Sequence, residues 1–329
     1  MSARIYRCRQ EDIEDVIRFL DQHWKPGHVL TTCRALLDWQ HRDRDGVGYS
    51  FVLARRRDDH ALLGILGYLA TRQFDATLAK DNVVWLTIWK VRDDAGIPGL
   101  GLALLQFLTG CEPHAAIGAL GLNPSTLPIY QQLGYRVGEL DHYVAPASSA
   151  TSERPATRRL ARDDEFETLG RLPLRAGVPV KTAEYLRSRY ARHPVYAYVI
   201  TALLEDGRPV GVLVTRPAEH DGRRALRIVD FLGSDSVLGR TGPVVQALLA
   251  EFGAEYADVY NTGIDRAVFE RAGFRRIDPD GPEVVPDHFE PFERRNVRLW
   301  FSLSGARDAV LFKGDSDQDR PNRVASLRT

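Results

Sequence analysis

The first 146 residues alternate between strand-like and helix-like hydrophobic patterns. Apolar residues at every second position, or in short β-branched and aromatic runs, predict strands, and apolar residues three or four apart predict helices. The patterns predict a strand at 5–9, helices at 11–24 and 31–43, strands at 50–56, 62–73 and 82–91, a helix at the end of 95–108, a strand at 114–122, a helix at 123–135 and a strand at 136–146. The second helix is expected to begin at a threonine cap. This succession predicts a mixed sheet with helices packed on it.

The same succession of patterns returns after residues 147–159, a Ser/Thr/Pro/Ala-rich stretch near the midpoint of the chain. A repeat of about 150 residues is too long for a solenoid and favours two copies of one domain. The predicted boundaries are an N-terminal domain at 1–146, a linker at 147–157, a C-terminal domain at 158–312 and a tail at 313–329. The predicted fold class is α/β, with a mixed and mostly antiparallel sheet in each copy.

Charge and composition exclude several classes of partner. The 44 basic and 44 acidic residues cancel, so no overall attraction to nucleic acid or to an anionic membrane is expected. The charged first residues do not fit a signal peptide, and no segment approaches the roughly 18 apolar residues of a membrane span. Three separated cysteines fit neither a disulfide framework nor a metal site. We therefore expect a cytoplasmic protein that acts on a small molecule, and the sequence leaves its oligomeric state open.

A glycine-rich loop, AGIPGLG at 95–101, separates the predicted strand at 82–91 from an apolar helix. A helix start has backbone N–H groups without partners and the positive end of the helix dipole, and glycine lets a ligand approach the backbone closely. This order indicates an anion site of the kind that binds phosphate, although glycine also serves strand-to-helix turns for geometry alone. Neither a P-loop lysine nor the GxGxxG order of dinucleotide-binding folds is present.

The loop resembles the cofactor loop, [RQ]xxGx[GA], of the GNAT superfamily of acetyl-CoA-dependent N-acetyltransferases. Gly99 and Gly101 match that pattern, and Gly96 stands where the family has Arg or Gln, which removes one pyrophosphate contact. The resemblance implies acetyl-CoA as co-substrate. It implies cofactor contacts from Trp89, Lys90, Val91, Gly96, Ile97, Pro98, Gly99, Leu100, Gly101, Leu102, Ala103 and Asn123.

A second motif strengthens the resemblance. NPSTLPIYQQLGY at 123–135 is similar to the Asn-to-Tyr-to-Gly helix near the end of the GNAT fold, and the matching residues are Asn123, Tyr130, Gly134 and Tyr135. The resemblance implies that Tyr130 is the general acid that protonates the departing CoA sulfur; the alternative is that it only packs its helix. In the second half Phe269 replaces this tyrosine and the paired glycines are absent. That half is expected to be a degenerate copy with a structural or substrate-binding role.

No residue stands out as the base that deprotonates the attacking amine. His28 lies between the first two predicted helices, where this fold receives its acceptor, and is the first candidate; Asp75 and His142 are rivals. Each could equally be a surface or capping residue. Trp85 and Trp89 alternate with Thr87, which predicts that they share one face of the strand in the core.

The expected activity is transfer of an acetyl group to a primary amine of a small molecule. The segment 286–296 and the tail resemble those of tandem GNAT proteins of bacterial polysaccharide synthesis, which implies an amino sugar or a nucleotide-linked amino sugar as acceptor. The alternative is a catalytically idle acyl-CoA sensor or scaffold, because Gly96 lacks the family's side chain. Asp315, Asp317 and Asp319 alternate as in a calcium loop, but Arg320 replaces the required glycine, so no metal is expected.

Overall fold

The computed structural model describes residues 2–44, 46–148, 155–170, 177–287 and 292–322. The strands are β1 (Ala3–Arg9), β2 (Gly48–Arg56), β3 (Leu62–Ala70), β4 (Val83–Val91), β5 (Ala116–Leu120), β6 (Arg136–Pro146), β7 (Thr157–Leu160), β8 (Val199–Glu205), β9 (Arg208–His220), β10 (Arg223–Gly233), β11 (Tyr256–Thr262), β12 (Arg275–Arg276), β13 (Leu299–Ser304) and β14 (Leu311–Phe312). The helices are α1 (Ile13–Phe19), α2 (Val29–Thr32), α3 (Arg34–His41), α4 (Leu100–Cys111), α5 (Leu127–Gln132), α6 (Asp163–Glu167), α7 (Ala183–Leu186), α8 (Asp235–Leu238), α9 (Gly242–Phe252) and α10 (Arg266–Arg271).

One continuous sheet crosses both halves of the chain, in the strand order β1-β2-β3-β4-β5-β13-β6-β11-β10-β9-β8-β7. Most neighbours are antiparallel, and the parallel pairs in the described residues are β4 with β5 and β10 with β11. Each parallel pair is connected through a long apolar helix, α4 or α9, as a parallel crossover requires. The predicted mixed and mostly antiparallel sheet with flanking helices is therefore confirmed.

The two halves exchange strands at the centre of the sheet. β13 comes from the end of the chain and pairs with β5 and with the first part of β6, Arg136–Leu140. The second part of β6, Asp141–Pro146, pairs instead with β11. Gly118 on β5 permits this insertion, because a methyl group there would overlap the backbone carbonyl of Ser302 on β13. The sheet of the first half is therefore completed by residues near 300.

The two faces of the first-half sheet carry separate cores. Helices α1, α2 and α3 cover one face, where Phe51 and Ile65 are fully buried. Helix α4 and Tyr130 of α5 cover the other face, together with Leu86 and Leu104. None of the helices in the described ranges combines the length and apolar composition needed to cross a membrane.

A β-bulge interrupts β4 and changes which face its tryptophans occupy. Gly67 of β3 pairs with Ile88 and the next residue of β3 pairs with Leu86, so Thr87 is the extra residue. Trp85 consequently packs on the face that includes Leu69, and Trp89 packs against the opposite face with α4. The prediction that the two tryptophans share one face is wrong, because simple alternation does not hold across a bulge.

The second predicted helix, 31–43, is also corrected. It consists of two short helices, α2 and α3, because Cys33 is extended with φ −123° and ψ 94° and its side chain is buried. The hydroxyl of Thr31 donates to the carbonyl oxygen of His28 at 2.8 Å, which competes with helix continuation. The cap of α2 is His28 rather than a threonine: its Nδ1 accepts the Leu30 N–H at 3.3 Å.

Candidate functional site

The first-half sheet opens between β4 and β5. The two strands pair in parallel from Val83 with Ala116 to Leu86 with Ala119. β4 then continues to Val91, whereas β5 ends at Leu120. Beyond the bulge, this edge of β4 has no strand partner in the described part of the chain. The result is a wedge-shaped opening with free backbone groups on one wall.

The glycine loop lies at the wide end of this opening. Gly96 and Gly99 have φ of +66° and +73°, a left-handed conformation that a side chain would strain. A methyl group at either glycine would meet no atom within 4 Å, so the loop is open to a ligand. α4 begins directly after Gly99, and within the described residues the N–H groups of Gly101 and Leu102 have no acceptor. Such a helix start attracts anions.

The other predicted cofactor residues surround this opening. Trp89 donates its indole N–H to the carbonyl oxygen of Gly101 at 3.2 Å, which ties β4 to the first turn of α4. Lys90 pairs with Asp93 at 2.8 Å beside the loop, and Val91 ends β4 as expected. Asn123 follows β5 and caps a short 3-10 turn, accepting the Ser125 N–H at 3.0 Å. Its side-chain oxygen is thereby used, and no described residue accepts a hydrogen bond from its amide N–H₂ group.

Tyr130 lies under the opening on the α4 side. Its side chain is 1% exposed, and its ring makes edge contacts with Trp89 and Tyr135 at centroid distances of 5.8 Å and 5.4 Å. Among the described residues its hydroxyl has no hydrogen-bond partner. Burial, followed by the neighbouring Tyr135, raises the pKa of the Tyr130 phenol above its ordinary value, so the phenol keeps its proton at neutral pH.

His28 lies apart from Tyr130, on the face covered by α1 to α3. It is 3% exposed, and its Nδ1 lone pair is used in the cap of α2. Burial, followed by the positive charge of Arg320, lowers the pKa of His28 to about 4. The imidazole is neutral at pH 7, but it is a weak base.

The two rival bases are held in other contacts. Asp75 accepts hydrogen bonds from Thr77 and from Thr182, which comes from the second half of the chain. Burial raises the pKa of Asp75, but these hydrogen bonds outweigh burial and lower it overall. His142 donates its Nε2–H to the Asp258 carboxylate at 2.8 Å and stacks on Tyr260 at 3.9 Å. Asp75 thus joins the two halves, and His142 lies where β6 meets β11.

Local patterns did not reveal the position of residues 313–322, which we call the C-terminal segment. Its acidic residues are buried in separate ion pairs: Asp315 with Lys181 at 2.7 Å, Asp317 with Arg320 at 3.1 Å and Asp319 with Arg189 at 3.0 Å. Arg320 also donates to Gln40 of α3 at 2.7 Å, and the Val29 N–H donates to the carbonyl oxygen of Asn322 at 2.8 Å. The segment therefore covers His28. Its polar composition is typical of an exposed tail, so the sequence did not predict that the C-terminal segment is buried.

The second half has a matching opening, but the chain itself occupies it. β10 and β11 pair in parallel only as far as Ile228 with Val259. β14 then pairs with β11 at Asn261 and Thr262, and the Asn261 side chain donates to the Leu311 carbonyl at 3.0 Å. The next residues of the chain follow β10 so closely that a methyl on Gly314 would lie 2.7 Å from the Val229 carbonyl oxygen. The corresponding space in the first half has no such strand among the described residues.

No protein-family profile and no curated protein sequence matches this chain. Solved structures are similar to it. A GCN5-related N-acetyltransferase from Anabaena variabilis has a TM-score of 0.54 at 13% identity, over 92% of this chain and 72% of that one. A GCN5-related N-acetyltransferase from Kribbella flavida has a TM-score of 0.53 at 14% identity, over 92% and 70%. Saccharomyces cerevisiae N-myristoyltransferase with bound myristoyl-CoA has a TM-score of 0.51 at 10% identity, over 93% and 83%. The chain has the fold of the GCN5-related N-acetyltransferases, as its two motifs predicted.

Proposed function

We propose that the protein is an acyltransferase that moves an acetyl group from acetyl-CoA to a primary amine of a small molecule. The observation that carries this proposal is the opening between β4 and β5, with the free amides of Gly101 and Leu102 at its wide end. Backbone N–H groups at a helix start suit a diphosphate, and the unpaired edge of β4 suits the amides of a pantetheine arm. The two features lie on one path, as an extended acyl-CoA requires.

The chemistry is a direct attack in a ternary complex. The neutral amine attacks the thioester carbonyl carbon, a C–N bond forms, and the C–S bond breaks to release the thiolate. Tyr130 donates its phenolic proton to the sulfur, and the amine proton passes to water or to a base. The hydroxyl of Tyr130, which has no hydrogen-bond partner in the described ranges and lies on the same side as the loop, supports this role. Burial raises the pKa of the Tyr130 phenol, so the proton transfer requires that the closed site raise the basicity of the departing thiolate by more.

The acceptor that we propose is an amino sugar, free or nucleotide-linked, as the resemblance implied. A sugar amine is less basic than an alkyl amine, so more of it is neutral at pH 7 and the demand on a base is smaller. This suits a site whose first candidate base, His28, has a pKa lowered to about 4 by burial and by Arg320. We assign the amine proton to water rather than to His28, because Nδ1 of His28 accepts the Leu30 N–H, its ring also hydrogen-bonds Asn322, and the C-terminal segment covers it.

We further propose two domains of unequal role, with the boundaries given by the sequence pattern at 1–146 and 158–312. The first domain binds acetyl-CoA, and the second supports it. The filling of the second opening by β14 supports this division, since a pantetheine arm and a strand of the chain cannot occupy the same space. One acetyl-CoA per chain is the expected stoichiometry.

Turnover and binding are measured separately to test this proposal. A thiol-release assay with acetyl-CoA and a panel of amino sugars, amino acids and polyamines should show release that depends on one class of amine. Calorimetry with acetyl-CoA should give one site per chain. Binding without turnover on any amine would favour the idle sensor, and absence of binding would refute the cofactor site itself.

A further inference from the structure

A second cavity, of about 510 Å³, lies at the other end of the first-half sheet from the glycine loop. The ends of β1, β2 and β3 and the connection from β3 to β4 form its walls. Its polar side chains are Arg7, Asp43, Arg44, Ser50, Tyr68, Arg72 and Gln73. The volume falls within the range of small-molecule sites, which is roughly 300 to 1,000 Å³.

Positive charge predominates in this cavity, which we call the arginine cavity. Arg72 is committed to the buried Glu112, with hydrogen bonds of 2.6 Å and 2.9 Å. Arg7 donates to the Tyr68 hydroxyl at 3.1 Å. The nearest carboxylate oxygens, of Asp43 at 3.6 Å and of Glu112 at 3.9 Å, are beyond hydrogen-bond length. Arg44 is exposed and makes no ion pair with the described residues. Two guanidinium groups therefore have free donors at one site, and a guanidinium carries five N–H donors.

Buried groups behind the wall hold the lining side chains in position. Ser50 Oγ is 2.9 Å from Nδ1 of His41, which is fully buried. The Gln73 side-chain N–H₂ group donates to the Gln40 backbone carbonyl oxygen at 2.7 Å, and no described residue donates to the amide oxygen of Gln73. Glu112 is 1% exposed and orients Arg72. Such second-layer support is what makes a binding site rigid before its ligand arrives.

The donors and acceptors together select a class of ligand. Guanidinium groups match the paired oxygens of a carboxylate or phosphate. The Gln73 amide oxygen can accept a hydrogen bond from a hydroxyl or amino group on the same molecule. A single phosphate is much smaller than 510 Å³, so the cavity suits an anionic group attached to a hydroxylated or aminated carbon skeleton.

The arginine cavity is separate from the acetyl-CoA opening. Glu112 follows the C-terminal end of α4, whereas the glycine loop precedes its N-terminal end. A helix of 12 residues is about 18 Å long, so the diphosphate site and the arginine cavity are about that far apart.

We propose that the arginine cavity binds a small organic anion, carrying a carboxylate or phosphate group together with hydroxyl or amino groups, through Arg7 and Arg44. The proposal does not depend on the acetyltransferase function, because no part of the cavity belongs to the glycine loop or to Tyr130.

Calorimetric titration of the full-length protein, without acetyl-CoA, tests this with two probes: malate for the carboxylate class and glycerol 3-phosphate for the phosphate class. We expect saturable binding of one probe. Arg44→Gln should weaken it at least tenfold, because a charge-assisted hydrogen bond is lost. Arg57→Gln, which changes another exposed arginine on the turn between β2 and β3, should leave it unchanged. Arg44 and Arg57 are both at the surface, so folding is not at risk.

Two results would overturn the proposal: no saturable binding of either probe, or binding that Arg44→Gln leaves intact. Glycerol 3-phosphate could also bind at the glycine loop, and Leu102→Pro separates the two locations. Binding lost in Leu102→Pro but kept in Arg44→Gln would assign the probe to the loop and contradict the inference. The reverse pattern would support the inference even if acetyl-CoA itself failed to bind.

Discussion

The sharpest test of the cofactor site removes one backbone N–H group and leaves the rest of the loop unchanged. Leu102 is the third residue of α4, and no described group accepts its N–H, so the free protein loses no hydrogen bond when proline replaces it. Proline is tolerated in the first turn of a helix. The preceding residue is Gly101, whose missing Cβ reduces the usual clash with the proline ring. Leu102→Pro therefore removes a donor without removing a hydrogen bond between the described residues.

The expected loss follows from the charge of the ligand. A hydrogen bond to a charged group contributes about 1.5 to 3 kcal/mol, which corresponds to roughly 10-fold to 100-fold weaker acetyl-CoA binding. The matched control is Leu102→Ala, which truncates a side chain that is 40% exposed and keeps the N–H. Calorimetry measures affinity, and thermal unfolding checks that both variants fold alike. Equal affinities for acetyl-CoA in the two variants would refute the assignment of the α4 amides to the diphosphate.

Three further predictions concern catalysis, the sheet and pH. Tyr130→Phe should lower kcat about 100-fold with little change in acetyl-CoA affinity, because general acids contribute roughly 100-fold to 10,000-fold to the rate. The control variant, Tyr135→Phe, should keep kcat. Equal activity of the two variants in the thiol-release assay would exclude the acid role. Gly118→Ala should lower the free energy of unfolding by about 1 to 3 kcal/mol in denaturant titrations, because its methyl group overlaps the β13 backbone. An unchanged midpoint would contradict the strand exchange. Burial, followed by the charge of nearby arginines, lowers the pKa of His193 to about 3 in the folded protein, from about 6.5 in the unfolded chain. As the pH falls, the unfolded state therefore binds a proton first. The free energy of unfolding should decrease between about pH 6.5 and pH 3, by about 1.4 kcal/mol per pH unit. His193→Gln should flatten this fall relative to His220→Gln, a change at a half-exposed histidine, and parallel pH profiles of unfolding would count against it.

Local patterns predicted most of the secondary structure, because strand and helix preferences depend on neighbours within about ten residues. The strand predicted at 82–91 is Val83–Val91, and the strand predicted at 136–146 has those same limits. The two incorrect predictions each concern a single residue, but the cause lies in contacts with other elements. The bulge at Thr87 and the extended Cys33 arise where the chain adapts to packing against neighbouring elements.

The sequence predicted the part of the candidate site that is formed by backbone groups, and it did not predict the environments of the side chains. Glycines before an apolar helix predict an open loop with free N–H groups, and the loop at 96–101 has that form. The environments of His28 and of the three aspartates of the C-terminal segment were not predictable. Arg320 beside His28, Lys181 beside Asp315 and Arg189 beside Asp319 are each separated from these residues by more than 100 residues of sequence. Asp317 pairs with Arg320 close by in the sequence, but both also contact Gln40, which is far away in the sequence.

The sequence alone determined the order of elements, the open glycine loop and the resemblance to the GNAT superfamily, since these depend on short-range spacing and backbone freedom. Only the tertiary structure decided that β13 completes the first-half sheet, that β14 fills the second opening and that arginines converge at one end of the first-half sheet. Strand pairing and cavity shape depend on which distant segments meet. Backbone hydrogen bonds in a sheet are almost independent of side-chain identity, so the local pattern carries little information about a strand's partner.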